Sequence, residues 1–374
     1  MLTAKQPISR KPLSGQSAVA KWRLTVAAGL TGGLLLSTAL LARTAQGQTA
    51  QPVEIVIPSK LVAGEPATLT ALDAAGRLVP RTDITFSDGS HTETDVNGLA
   101  HMTAPSAPGA IIARVTLHPE VTACTAVLPH AIAAKLEVAS FPPVVSIHDP
   151  FEIKGAGFSG DSRADRVTFH DQLASVLAAS PVSLVVLLDY KSEPGTWKLD
   201  IAANGVETWF ALAAVSVEFA LATEHLVPGT KTKLTARVRG TDKSETLEIK
   251  DLAPDVLAFS HNTSEQLRTR GGVDNSTSVD VRALRAGDYS FRVRILSSDA
   301  GAADIEAAHA YLEGALKIAT PQWKHRLDPL VAQLERPKVK VPQIVDRLEK
   351  MMPEAPQGDL AILLAAAGNA LRGR

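Results

Sequence analysis

Three segments of the chain share one pattern of apolar and polar positions: PGAIIARV from Pro108, PGTWKLDI from Pro194 and AGDYSFRV from Ala286. Each opens on a Gly turn, at Gly109, Gly195 and Gly287, which stand 86 and 92 residues apart. Two, four and six residues after the Gly come Ile111, Ala113 and Val115, then Trp197, Leu199 and Ile201, then Tyr289, Phe291 and Val293. A period of two predicts a strand with one buried face, and a strand with one solvated face belongs in an antiparallel sheet. A unit of this kind repeated at this spacing predicts tandem β-sandwiches.

After Leu296 the period changes to that of a helix. Ile305, Ala308, Leu312, Ala315, Leu316 and Ala319 recur every three or four residues, as do Trp323, Leu327, Leu330, Val331 and Leu334, then Ile344, Leu348 and Met351, then Leu360, Leu363, Leu364, Ala367 and Leu371. Prolines at 321, 337, 342, 353 and 356 cut this tail into four short helices, none long enough to span a membrane. AILLAAAGNAL is apolar almost all round, which in a helix means burial. The segments are expected to pack on one another or on the third sandwich, with self-association through 302–372 as the use of the surface left over. The fold class expected is mainly β: tandem sandwiches with a small C-terminal α-helical region.

The first module, 53–129, runs from VEIVIP through ATLTALDAAGRLVPRTDITFSDG to TDVNGLAHMTA. Its D-x-x-G turn and its hairpin at Asn97-Gly98 resemble the bacterial immunoglobulin-like modules of surface adhesins. In the second, 134–219, PFEIKGAGFSG, RVTFHDQLASVLAASPVSLVVLL and PGTWKLDIAANGVET resemble the IPT/TIG immunoglobulin-like fold, with a G-x-G-F corner and a P-G strand ending in N-G. That resemblance implies a small open sandwich of cell-surface proteins, not catalysis. The third module, 215–296, alternates Leu234, Ala236 and Val238 inward with Lys233, Thr235, Arg237 and Arg239 outward. Its Gly287-x-Tyr289 is similar to the tyrosine corner of immunoglobulin-like folds. The helical region is placed at 299–374.

Residues 1–47 hold six basic residues and no acidic one, and Leu24–Leu41 is an uncharged, mostly apolar stretch of 18 residues followed by Ala45-Gln46-Gly47. This predicts an export signal, either cleaved or retained as an N-terminal membrane anchor, and so places residues 48 onward outside the cytoplasm. With six of the 38 basic residues in the leader, the remaining 32 face all 39 acidic residues, a net charge of −7. That sign disfavours nucleic acid and anionic lipid as partners. Cys124 is the single cysteine, which rules out an intramolecular disulfide, and its alternating surroundings predict an inert strand residue. Asn262 and Asn275 head N-x-S/T sequons.

The chemical motifs are weak. Gly155 to Gly160 matches G-x-G-x-x-G, but a charged loop and another strand follow where a dinucleotide site needs a helix N-terminus. The expected reading is a sandwich corner. Gly160-Asp161-Ser162 lacks a later D-x-x-H, and the ten histidines form no zinc pattern. His148-Asp149 and His170-Asp171, and the turn carboxylates Asp88, Asp95, Asp161 and Asp165, offer only loose alternatives for a polar cluster or a Ca²⁺ site. No catalytic, cofactor-binding or metal-binding residue is assigned, and no cofactor is expected.

The chain therefore reads as a non-catalytic, extracytoplasmic modular protein of a bacterial envelope or surface, in contact with protein or glycan. The alternatives are an assembly factor of envelope machinery docking through its helical tail, and an unrecognised carbohydrate-active enzyme or its accessory subunit.

Overall fold

The computed structural model describes residues 54–73, 76–129, 135–223, 227–251, 256–259, 264–285, 288–289, 291–296 and 302–373, together with Trp22–Arg23, which pair antiparallel with Asp288–Tyr289. The apolar leader stretch, its cleavage site and Asn262 lie outside the described residues, as does the side chain of Tyr289. The protein is a set of tandem immunoglobulin-like β-sandwiches followed by a C-terminal helical region.

The first two sandwiches share a topology. In the first, Lys60–Val62 runs parallel to His118–Leu128, and Gly109–Val115, Asp83–Phe86 and His91–Glu93 complete that sheet; the facing sheet is Glu54–Val56, Pro66–Leu72 and Leu99–Thr103. In the second, Val144–Ser146 runs parallel to Val206–Leu221 in the same way, beside Gly195–Ala203 and Arg166–Phe169. The facing sheet is Glu137–Ser140, Phe151–Ala156 and Ser183–Leu187. Gln172–Ser180 passes from one sheet to the other, with a register shift between Val176 and Ala178. Alternation fills each core as the sequence predicts, with Ile111, Ala113 and Val115 in one and Leu199, Ile201 and Leu212 in the other.

Neighbouring sandwiches make direct contact. The 16-residue strand Val206–Leu221 closes the second core with Leu212 and Ala214 and opens the third with Val215, Val217 and Phe219. Its second half pairs with Lys231–Arg239, which continues to Ser276–Ala283 and Leu257–Phe259; Ser264–Arg268, Thr246–Asp251 and Phe291–Leu296 form the facing sheet. Between the first two sandwiches, Val56 and Leu72 bury against Leu177, Ala178 and Val185. Thr68 Oγ1 donates to Gly160 O at 3.0 Å and accepts from Ser162 N–H at 3.2 Å. Gly160 has φ +76°, and a Cβ there would stand 2.4 Å from Pro66 O. The third glycine of the G-x-G-x-x-G run thus serves close approach of two sandwiches.

Four helices follow: α1 (Ile305–Ile318), α2 (Pro321–Leu334), α3 (Val341–Met351) and α4 (Asp359–Leu371). Asp304 caps α1 by accepting from Ala307 N–H at 3.2 Å, and Pro321 occupies the first turn of α2. The helices bury Leu312, Leu327, Leu330, Leu348 and Leu364 among themselves, each contributing about 1.5–3 kcal/mol by removal from water. The bundle lies on the first sandwich, not on the third as one of the sequence expectations had it. Tyr311, Leu312 and Ala315 share one core with Ile112, Ala126 and Leu128. A Cβ on Gly314 would lie 3.0 Å from that of Ala110. The outer face of Gly109–Val115 and His118–Leu128 is accordingly covered at Ala110, Ile112, Ala126 and Leu128, which corrects there the expectation of one solvated face, while farther along it Arg114 is half-buried and pairs with Asp359.

A polar knot pins this arrangement where two sandwiches meet α1. Tyr311 Oη donates to Ser59 O at 2.9 Å, and Ser59 N–H donates to Glu152 Oε1 at 2.7 Å. Lys60 and Lys154 place their Nζ atoms 3.1 and 3.3 Å from Asp304 Oδ2. Burial alone would raise the Asp304 carboxyl, but the two ammonium groups hold it below its ordinary value.

Candidate functional site

The outer face of the second sandwich is where the same strands stay open. Along Gly195–Ala203 the residues out of phase with Leu199 and Ile201 are Thr196, Lys198 and Asp200; along Val206–Leu221 those out of phase with Leu212 and Ala214 are Trp209, Ala211 and Ala213. Register pairs them directly: Asp200 with Trp209, Lys198 with Ala211, Thr196 with Ala213. Trp209 is 65% exposed, and the row continues through Thr168 to Leu173, which is 63% exposed. Lys198 pairs with Asp200 and stands 5.6 Å from the centre of the Trp209 ring.

Toward Ala213 this face runs into a cleft of about 810 Å³ between the second and third sandwiches. Thr196, Val144 and Ala213 form one wall, and Arg237, Arg239 and the loop 240–245 form the other. Gly240, with φ +96°, makes the junction close, since a Cβ there would meet Ala214 O at 2.7 Å. The loop is held by Asn275, whose Nδ2 donates to Lys243 O at 2.7 Å and to Thr241 O at 3.2 Å, while its Oδ1 accepts from Gly271 N–H. Asn275 is 1% exposed, so in the folded protein its sequon is closed to glycosylation.

Glu245 lines the same cleft at 6% exposure. Its backbone N–H donates to Thr269 Oγ1, but its carboxylate accepts no hydrogen bond from a described residue. Burial pushes that carboxyl above its ordinary value, with Lys243 opposing.

The sequence's weaker candidates have structural duties. His170 and Asp171 form a tight turn with φ +48° and +64°, and the His170 ring stacks on Trp197 at 3.9 Å. Asp149 Oδ2 stands 3.9 Å from Arg294 Nε, and burial lowers the His148 imidazole. Asp88, Asp161 and Asp165 accept from nearby backbone N–H groups. Asp95 does the same for Asn97 and Leu99 and also meets Arg163, which together lower its carboxyl to about 2. Among the described residues no three His, Cys, Asp or Glu side chains gather as a metal site would require. Cys124 lies under the helices, its thiol pushed up to about 12 by burial.

No family model matches the chain, and no curated protein matches it. Solved structures that resemble it include SGBP-B of the Bacteroides ovatus mixed-linkage glucan utilization locus in complex with a mixed-linkage heptasaccharide, at 10% identity, 64% of this chain, 73% of that chain and a TM-score of 0.21. Others are the S-layer protein SbsC, at 14% identity, 67% of this chain, 39% of that chain and 0.17, and the N-terminal four Ig domains of Dscam1, at 11% identity, 63%, 72% and 0.22. Similarity at this level carries nothing about function.

Sequence reasoning passed over Trp209, Lys198, Asp200 and Glu245. The first three were legible, because VETWFALAA puts Trp209 out of phase with the buried Leu212 and Ala214. Glu245 had no local signal, since its burial comes from packing against Thr269 in another segment.

Proposed function

We propose that this is an exported, non-catalytic modular protein of a bacterial envelope or surface, which contacts protein or glycan through the open outer face of its second sandwich. In this reading residues 48 onward lie outside the cytoplasm. The chain divides into a bacterial immunoglobulin-like module at 53–129, an IPT/TIG-like module at 134–219, a third sandwich at 215–296 and a helical region at 299–374. The observation that carries the reading is Trp209, a large apolar ring left 65% exposed on a strand whose counterpart in the first sandwich, His118–Leu128, is buried along its last four residues, where the helices pack on it. An exposed aromatic flanked by charged side chains is the usual composition of a binding surface.

Docking through the tail fits less well. Its apolar stripes are buried, and Ile318 is the one large hydrophobic left exposed among its described residues. The test is co-sedimentation of the exported chain with isolated envelope fragments, comparing wild type with Trp209→Ala and Lys198→Glu. Loss of binding in both variants, with unchanged melting, supports the face; equal binding by all three overturns it. A reporter active only after export, fused at Arg374, tests the location.

A further inference from the structure

The open face and the cleft are one surface. Trp209, Ala211 and Ala213 point the same way along one strand, and Ala213 belongs to the cleft wall. Four residues of strand place Trp209 about 13 Å from Ala213. Between them the one outward position on that strand is Ala211, so an extended ligand can lie close to the backbone from the indole to the cleft.

The chemistry of the two ends restricts what such a ligand is. The cleft lining holds no aromatic residue, Leu or Ile; its apolar members are Pro143, Val144, Ala213, Val238 and Val273. It offers hydroxyls at Thr196 and Thr241, together with charged donors and a carboxylate acceptor, while the Ser244 hydroxyl is taken up by Thr269 O and Arg268 Nε. Of the cations in the lining, Arg237 is paired with Asp274 at 2.8 Å and Arg239 with Glu218 at 2.9 Å, and the charge of Lys243 acts on Glu245. The Glu245 carboxylate accepts no hydrogen bond from a described residue and has the Lys243 charge acting on it, so it is open to a donor that enters the cleft. A sugar hydroxyl is both donor and acceptor, and a pyranose ring has an apolar C–H face that suits an exposed indole.

We propose that the strip from Trp209 to Glu245 binds a neutral oligosaccharide, with one ring on the Trp209 indole and hydroxyls of another ring donating to the Glu245 carboxylate. This rests on the reading of the second sandwich's outer face as the binding surface, and names its ligand class.

The experiment titrates the exported chain with cellotriose, maltotriose and triacetylchitotriose, and with trigalacturonic acid as the anionic comparator, by calorimetry and tryptophan fluorescence. At least one neutral trisaccharide should bind and perturb a fluorescence component that Trp209→Ala removes. Glu245→Gln, which keeps shape and removes a buried charge, should weaken binding about tenfold, the value of one hydrogen bond to a charged group. Lys243→Met should weaken it less, and both variants should melt no lower than wild type. Preference for trigalacturonic acid, binding indifferent to Glu245→Gln and Trp209→Ala, or no trisaccharide binding at millimolar concentration overturns the proposal. If envelope fragments are still bound through Trp209 and that binding is destroyed by protease, the outer face keeps its role with a protein partner and only the oligosaccharide is overturned.

Discussion

The outer faces of the first and second sandwiches are topologically the same surface, packed under helices in one and exposed in the other. On the first, the outward positions Ala110, Ile112, Cys124, Ala126 and Leu128 are apolar and α1 covers them with Tyr311, Leu312 and Ala315, while the next outward pair, Arg114 and Thr122, is polar and half-buried, with Arg114 held by Asp359 of α4. On the second, the equivalent strands carry Thr196, Lys198 and Asp200 beside Trp209, and nothing in the described chain covers them. A sheet face that must stay dry is built from small and aliphatic residues that accept a helix. Under the proposed binding role, the open face keeps one large exposed ring among charged side chains.

The comparison is broken most severely by removing residues 302–374. That uncovers the whole apolar face of the first sandwich, and the expected outcome is loss of a soluble monomer, read by gel filtration and by dye binding to exposed apolar surface. Cys124 reports the same event: with its thiol held near 12 and roofed by helices, it should resist a thiol reagent in the full chain and react in the truncated one. A truncated chain that stays monomeric with an unreactive thiol would show that the helices are not a cap.

Within the intact chain, Tyr311→Ala should cost about 3–5 kcal/mol in urea unfolding, as for loss of a buried aromatic. Tyr311→Phe should cost about 1 kcal/mol, since only the bond to Ser59 O goes. Gly160→Ala should cost about 2 kcal/mol, because strain at φ +76° adds to a clash with Pro66 O. Gly89→Ala, at φ +89° with nothing within 4 Å, should cost about 1 kcal/mol and so isolates the strain.

The clasp at Asp304 sharpens the comparison through pH. Its folded pKa is lowered from 3.8, so it favours the native state above that value, and this contribution falls away as pH drops through the lower folded value. Helical signal should therefore be lost at higher pH in Asp304→Asn than in wild type when the two are titrated into acid by circular dichroism. Coincident acid transitions would remove the clasp from the account. The smallest effect belongs to the open face: Trp209→Ala should change unfolding free energy by no more than about 0.5 kcal/mol, as expected of a surface side chain that packs on nothing essential.

Much of this contrast was present in the sequence and read only by half. In PGAIIARV the inward Ile111, Ala113 and Val115 give the strand, while the outward Ala110 and Ile112, ahead of the charged Arg114, already mark the stretch that is covered on both faces. PGTWKLDI differs at those same outward positions, with Thr196 and Lys198. The cleft was not legible. Its walls come from strands and a loop far apart in the chain, and Glu245 acquires its character only when Thr269 and Asn275 hold the loop around it.

The sequence alone set the strands, through period-two alternation, and the helices, through period-four apolar stripes and the prolines between them, because both are local consequences of backbone geometry. It could not assign partners to faces. An apolar helix stripe fits any apolar sheet face of suitable size, and the first sandwich wins over the third through contacts that exist only after folding: Gly314 closing on Ala110, Tyr311 reaching Ser59, and Asp304 meeting two lysines from two different sandwiches. Those pairings span as many as 252 residues of chain, and no local pattern encodes a contact at that separation.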